Sequence, residues 1–438
     1  MKRTFLTIFA VIAISIGCNA QEYTLGECLK IGLENNYSLR ITRNEESIAH
    51  NNATYSNAGM LPTIDIAAGY NGNLSSGNAK LRATGETERT RNEFGHTLNT
   101  GIDINWTIFD GFKASTTYKQ LKEMERMGEA ETRLAIEDFI AELASEYYNF
   151  IQQRLRLKNY NNAVQLSKER LRVVEERYNI GNFSRLDYQQ AKVDFNADSA
   201  QFLKQQAAVI TSRIALNEMM AIDEVYSPII TAETTIEIDS TLDFTRLWYG
   251  TLENNASLLL ADHNKAVTDL DYKKVLSRNY PYVKLNAGYD YTFNGYSDGV
   301  YTNRNGWGGN AGVTIGFNIW DGNRRREKRN AKIEMENAKL QRDRLELALK
   351  ADLGNMWQAY RNNLHLLKLE RVNVITAREN HEIAKERYML GDLSGIEMRE
   401  AQLSLLQAEE RLLSVEYETK ICEISLLLIS GEISKYLE

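Results

Sequence analysis

The chain has 438 residues, enough for two or three ordinary domains, and 52 basic against 59 acidic residues give a net charge of −7. That balance argues against a nucleic-acid binder, and 43% apolar content excludes a disordered chain. Without Lys2 and Arg3, which lie in a leading segment free of acids, the balance becomes 50 against 59, or −9.

Residues 1–20 read as a signal peptide: Lys2-Arg3, an apolar run from Phe5 to Ile16, then small residues before Gln21. The run is too short for a membrane helix, which needs about 20 apolar residues. Cys18 follows Ser15-Ile16-Gly17, part of a lipoprotein cleavage box with Ser in an aliphatic position, so it is a candidate for lipidation. Only Cys28 and Cys422 remain beyond it. They read as separate helix cysteines, with a disulfide as the alternative.

A repeat emerges next. Leu33-Glu34-Asn35-Asn36-Tyr37-Ser38-Leu39 returns as Leu252-Glu253-Asn254-Asn255-Ala256-Ser257-Leu258, Ala68-Gly69-Tyr70 as Ala287-Gly288-Tyr289, and Phe109-Asp110-Gly111 as Trp320-Asp321-Gly322. Residues 21–221 and 244–430 are therefore two copies of one unit, with a linker at 222–243 and a tail at 431–438. Each copy predicts, in order, a helix (25–60; 244–279), two strands (62–72 and 97–109; 281–294 and 309–320), a long helix (113–179; 323–388) and a last helix (184–221; 394–430). The first copy is longer between its strands, which places a loop near residues 72–96. The long segments contain no proline and would each reach roughly 100 Å at 1.5 Å per residue. The stripe Leu134, Ile136, Phe139, Ile140, Leu143, Tyr147 and Ile151 gives such a helix one apolar side.

The strands alternate strictly: Ile64, Ile66, Ala68 and Tyr70 against Asp65, Ala67, Gly69 and Asn71, and Ile102, Ile104, Trp106 and Ile108 against Asp103, Asn105 and Thr107. This fits a soluble sandwich with its apolar face inward or a membrane barrel with that face outward. Four strands cannot close a barrel, so the membrane reading requires several copies.

After each long helix comes a glycine turn, Tyr178-Asn179-Ile180-Gly181-Asn182-Phe183-Ser184-Arg185-Leu186-Asp187 and Tyr388-Met389-Leu390-Gly391-Asp392-Leu393-Ser394-Gly395-Ile396-Glu397. Gly181 and Gly391 stop the helices, while Ser184 with Asp187 and Ser394 with Glu397 have capping-box spacing.

This duplicated plan resembles the TolC-like outer-membrane efflux proteins, over about residues 22–430. The Leu-Glu-Asn-Asn-x-Ser-Leu segments, proline-led strands, aromatic-Asp-Gly corners and Arg-Tyr-x-x-Gly turns, in that order twice over, carry the likeness. The resemblance implies a mainly α fold with β hairpins, and a homotrimer in which a 12-stranded outer-membrane β-barrel continues as a 12-helix α-barrel in the periplasm of a Gram-negative cell. It implies a passive conduit that exports small molecules for an inner-membrane pump, proton-driven or of the ABC type, through a periplasmic adaptor protein. It assigns adaptor docking to Gly181, Ser184, Leu186, Gly391, Ser394 and Ile396. Pore constriction falls to Glu397 and Glu400, with Asp187 and Tyr388 at gate-linking positions; Leu393 stands where a basic gate residue is expected, and Arg185 is the nearest stand-in. Trp106, Phe109, Phe317 and Trp320 mark the membrane interface. A type I protein-secretion channel is the alternative, and a periplasmic coiled-coil scaffold is the alternative of another class. Five scattered histidines show no metal spacing and no catalytic constellation is visible, so no cofactor, nucleic acid or enzyme activity is expected.

Overall fold

The computed structural model describes residues 22–80, 82–297 and 302–437. The expected signal peptide and Cys18 lie outside the described residues. Two compact units divide the chain, and each draws segments from both sequence repeats.

The first unit takes residues up to Arg40, Ile136–Glu253 and Lys350 onward. It holds a two-residue strand β1 (Glu22–Tyr23), helix α1 (Leu25–Asn35), most of α3 (Lys113–Asn179), α4 (Arg185–Met219), strand β4 (Ile230–Thr231) and α5 (Phe244–Asn254). Most of α7 (Arg324–Leu390), α8 (Gly395–Ser430) and a short 3₁₀ turn (Ile433–Leu437) complete it. Both long helices have 67 residues, and α3 has the bounds its sequence predicted. The predicted apolar stripe is buried from Phe139 onward: Phe139, Ile140, Leu143, Tyr147 and Ile151 are closed off from solvent, while Leu134 and Ile136 are half-buried. Gly32 of α1 makes room for the stripe, since a methyl there would sit 2.5 Å from the Phe139 ring. The expected linker is partly ordered by pairing, because β4 runs parallel to β1. Tyr147 crosses to this pair, donating from its hydroxyl to the Tyr23 carbonyl at 3.0 Å and to Glu233.

Both cysteines are buried and unpaired, which removes the disulfide alternative. Burial pushes the Cys28 thiol up to about 12, and Cys422 joins a core with Leu247, Leu353, Tyr360 and Leu426.

The second unit takes Ile41–Ala135 and Asn254–Leu349. It contains most of α2 (Tyr37–Asn52), β2 (Thr63–Lys80), β3 (Thr87–Phe109), the start of α3, α6 (Ala256–Ser277), β5 (Tyr282–Tyr296), β6 (Asn303–Gly316) and the start of α7. The strands form one antiparallel sheet in the order β2-β3-β5-β6. Register aligns the alternation across all four: Ile66, Ile102, Tyr289 and Gly309 share a row, as do Asp65, Asp103, Gly288 and Asn310 on the opposite face. The apolar face is bare, with Ile66 81% and Ile315 73% exposed. This is the reverse of a sandwich, whose apolar face lies against a second layer. No helix among the described residues is long and apolar enough to cross a membrane.

Three expectations are corrected. The predicted helices 25–60 and 244–279 are each broken at the repeated asparagine. Asn36 and Asn255 leave helical backbone (ψ 125 and 119), and each side-chain carbonyl accepts the N–H three residues on, at 3.2 Å from Leu39 and 3.1 Å from Leu258. The motif thus starts a second helix, which is what a short polar side chain that competes with the backbone does best. The first of these second helices also ends early, at Asn52, where Asn57 turns back to donate to its carbonyl at 2.9 Å.

The predicted loop at 72–96 is mostly strand. Pairing continues to Lys80↔Thr87, past a bulge where Asn92 takes a positive φ of 53 and its N–H donates to Ser76 Oγ at 2.9 Å. Backbone ladders need no side-chain alternation, so this Gly-, Ser- and Asn-rich stretch hid a strand. Finally, β6 stops at Gly316, and Phe317 and Trp320 lie beyond it rather than within a strand reaching 320.

The two aromatic-Asp-Gly corners also differ. At the first, Gly111 has φ +72 and Phe112 +71, and a methyl on Gly111 would overlap the Ser277 carbonyl oxygen. At the second, Gly322 needs no left-handed backbone and a methyl would touch only the Trp320 ring at 3.5 Å. Asp110 takes the Ala114 N–H at 2.9 Å and so caps α3, whereas Asp321 takes the Asn323 N–H at 2.9 Å and the Arg278 guanidinium at 3.0 Å.

Candidate functional site

Four helix ends of the first unit meet at the two glycine turns. Gly181 (φ +82) and Gly391 (φ +90) close α3 and α7 with the same pair of bonds: Gly181 N–H to Tyr178 O at 2.9 Å and Asn182 N–H to Arg177 O at 2.8 Å, repeated as Gly391 to Tyr388 at 3.1 Å and Asp392 to Arg387 at 2.9 Å. A side chain at either glycine would meet open space, so it is the left-handed backbone that selects glycine. Full capping boxes follow. Ser184 Oγ accepts from Asp187 N–H at 3.2 Å while Asp187 accepts from Ser184 N–H at 3.1 Å; Ser394 and Glu397 do the same at 3.3 and 3.0 Å. The Ser394 hydroxyl, then the Ser394 backbone N–H, hold the Glu397 carboxyl below its ordinary range.

The turns are fastened to each other. Arg177 donates to the Met389 carbonyl at 3.0 Å and lies over the rings of Phe183 (5.4 Å) and Tyr388 (5.8 Å). Tyr178 stacks on Tyr188 at 5.4 Å. Beneath them, Val173, Val174, Ala191, Ala384, Met398 and Ala401 form a small core around Tyr388. Burial pushes the Tyr388 phenol up, and its hydroxyl has no hydrogen-bond partner among the described residues. What stays outside is apolar: Leu186 and Ile396 are both 77% exposed.

Structure brings Glu397 and Glu400 together on one side of α8, where both line a recess of about 290 Å³. Glu400 also lines a larger cleft of about 770 Å³ with Asp187, Tyr388, Leu186, Ser394 and Ile396. Arg185 is exposed on the first turn of α4, and Asp187 spends its carboxylate on the Ser184 cap. Of the interface aromatics, Trp106 donates its indole N–H to Met60 O at 2.9 Å, and Phe109 meets Phe112 edge-on at 5.2 Å. Phe317 and Trp320 are exposed past the end of β6.

Two ion pairs escaped the sequence reading. Arg399 of α8 grips Asp198 of α4 through both carboxylate oxygens, at 2.6 and 2.7 Å, and Arg170 of α3 pairs with Asp194 and reaches the Gly395 carbonyl at 3.4 Å. Asp194 and Asp198 are four apart on one helix face, a like-charge spacing that destabilises a helix unless cations sit nearby. That spacing was the available signal.

The family model described as outer membrane efflux protein matches residues 29–221 and 247–432. The chain belongs to the outer membrane efflux protein family. The match covers both sequence repeats, and members of this family are outer-membrane channels rather than enzymes. Solved structures agree on the fold. The efflux-family chain is similar to the outer membrane protein VceC of Vibrio cholerae (17% identity, TM-score 0.74, 93% of this chain and 96% of that one). It is likewise similar to the Campylobacter jejuni CmeC outer membrane channel (17%, 0.76, 93% and 85%) and to the open state of the Neisseria gonorrhoeae MtrE outer membrane channel (16%, 0.69, 94% and 90%). A search of curated sequences finds no match.

Proposed function

We propose that three copies of this chain form the outer-membrane channel of a tripartite efflux pump, a passive conduit that carries small molecules outward. The carrying observation is the sheet: apolar on one face, polar on the other, bare on the apolar side, and, among the described residues, unpaired along the outer edges of β2 and β6. Open strand edges are excluded from lipid. Joining β6 of one copy to β2 of the next removes every edge and closes twelve strands around a polar lumen.

The spacing of the aromatics supports this placement. Trp106 lies near the corner, while Tyr70 and Phe293 share the row of Leu98, eight residues up β3, or about 26 Å along the strand. On a strand tilted by about 40° that length rises about 20 Å, most of the roughly 25 Å apolar band that outer-membrane barrels carry between aromatic girdles.

By likeness to the family, the helices form a periplasmic tunnel whose tip is the pair of glycine turns. There the exposed Leu186 and Ile396, with Gly181, Ser184, Gly391 and Ser394, offer docking points for a periplasmic adaptor that links the channel to an inner-membrane pump. Glu397 and Glu400 from three copies make a ring of six carboxylates at the constriction. Fractionation and planar-bilayer recording test the reading together. The mature protein should remain in the outer-membrane fraction, purify with the mass of a trimer and conduct ions; a soluble, monomeric protein without conductance would overturn it.

A further inference from the structure

The two hairpins end at different heights. Row by row, Gly72, His96 and Gly295 are level, and β5–β6 pairing stops there, at Gly295↔Asn303. The last tie from β5 to β3 is the Ser297 N–H on the Phe94 carbonyl at 2.9 Å. The β2–β3 hairpin runs eight residues further, to Lys80↔Thr87, or about 26 Å along the strand.

On the outward face this extension changes character abruptly. Ile64, Ile66, Ala68, Tyr70 and Leu74 climb β2 and give way to Asn78 and Lys80, while Arg89 stands opposite Asn78 in the same row. Arg91 adjoins the bulge at Asn92, and Arg82 lies in the exposed turn. From Lys80 to Glu93 the sequence has four basic and three acidic residues. Of the acids, Glu93 pairs with Ser75 on the polar, channel-side face. The basic charge of Arg89 and Lys80 thus stands on the outward side above the upper aromatic rows, about 13 and 20 Å along the strand past the Leu74–Phe94 row.

From this we infer that the outward face of the β2–β3 extension binds the phosphate groups of a phosphorylated outer-leaflet lipid, a site that rests on the membrane placement proposed above. Guanidinium groups suit phosphate because their paired N–H donors match its oxygens. Two features favour a membrane lipid over a soluble anion: Lys80 and Arg89 stand on the same outward side of the hairpin as the apolar rows below them, and this chain is otherwise acidic.

Purified protein in detergent, saturated with bisphosphorylated lipid A and then washed, tests the site by the lipid phosphorus retained per chain. K80Q/R82Q/R89Q/R91Q should retain at least about tenfold less than the parent, and R82K/R89K/R91K should retain most of it. Lipid A stripped of its phosphates should bind parent and variant alike, and millimolar inorganic phosphate should leave bound lipid in place. Conductance in phosphatidylcholine bilayers should be the same for parent and quadruple variant. Equal retention by the two, with conductance intact, overturns the lipid site alone, as does displacement by inorganic phosphate, which would mark a simple anion site. A parent protein that fails to conduct overturns the membrane placement and the site with it.

Discussion

Glu397 serves the backbone and the proposed pore at once. Its carboxylate completes the Ser394 capping box, and the bonds from the Ser394 hydroxyl and then its backbone N–H lower its pKa. A depressed carboxylate contributes to stability above its ordinary value, 4.5, and loses that contribution as pH falls through the lower folded-state value. The ring should therefore keep part of its charge at pH values where ordinary carboxylates are protonated. Glutamine can replace glutamate in a capping box, so E397Q separates the two duties. E397Q/E400Q should leave the turn folded and the trimer intact, yet reduce cation-over-anion permeability by about threefold or more in planar bilayers. Unchanged reversal potentials in a salt gradient would remove both residues from the constriction. At this scale the caps were legible because Gly, Ser and an acid three residues on are local signals. Arg399–Asp198 was not, since its partners lie 201 residues apart and no local pattern joins them.

At the scale of elements, the long helices could be read to within a residue or two. Absence of proline lets them run, and left-handed glycines stop them. Their shorter neighbours were misread because Asn36 and Asn255 sit in segments whose apolar spacing continues on both sides, and a break by one side-chain hydrogen bond leaves that spacing intact. Likewise, duplication in sequence concealed a difference in structure between the two corners. Gly111→Ala should cost more than about 1 kcal/mol for its left-handed backbone alone, before any overlap with Ser277 is relieved. Gly322→Ala should be close to neutral. Thermal unfolding of both variants, followed by loss of the folded trimer band, checks the contrast, and equal melting points would refute it.

For the whole molecule, the strand pattern alone left sandwich and barrel open, because period two shows that one face is apolar without saying what covers it. Exposure of Ile66 and Ile315 shows that no second layer of the same chain covers that face, which supports the proposed barrel. In the proposed trimer, β2 and β6 are neighbours from different copies, so cysteines introduced in a panel along Ile64, Ile66 and Ala68 against Val313 and Ile315 should cross-link subunits. Covalent dimers and trimers on denaturing gels are the expected outcome; only intramolecular links would argue against closure between copies.

Those same bare edges bear on how the protein is made. A lone subunit reaching the bilayer has two rows of backbone amides and carbonyls that neither lipid nor its own strands can satisfy. In the proposed trimer insertion and assembly would be one event, and its rate should rise more steeply than linearly with the concentration of newly exported chains. A cell that makes too few copies would be left with stranded, aggregation-prone monomers instead of proportionally fewer channels.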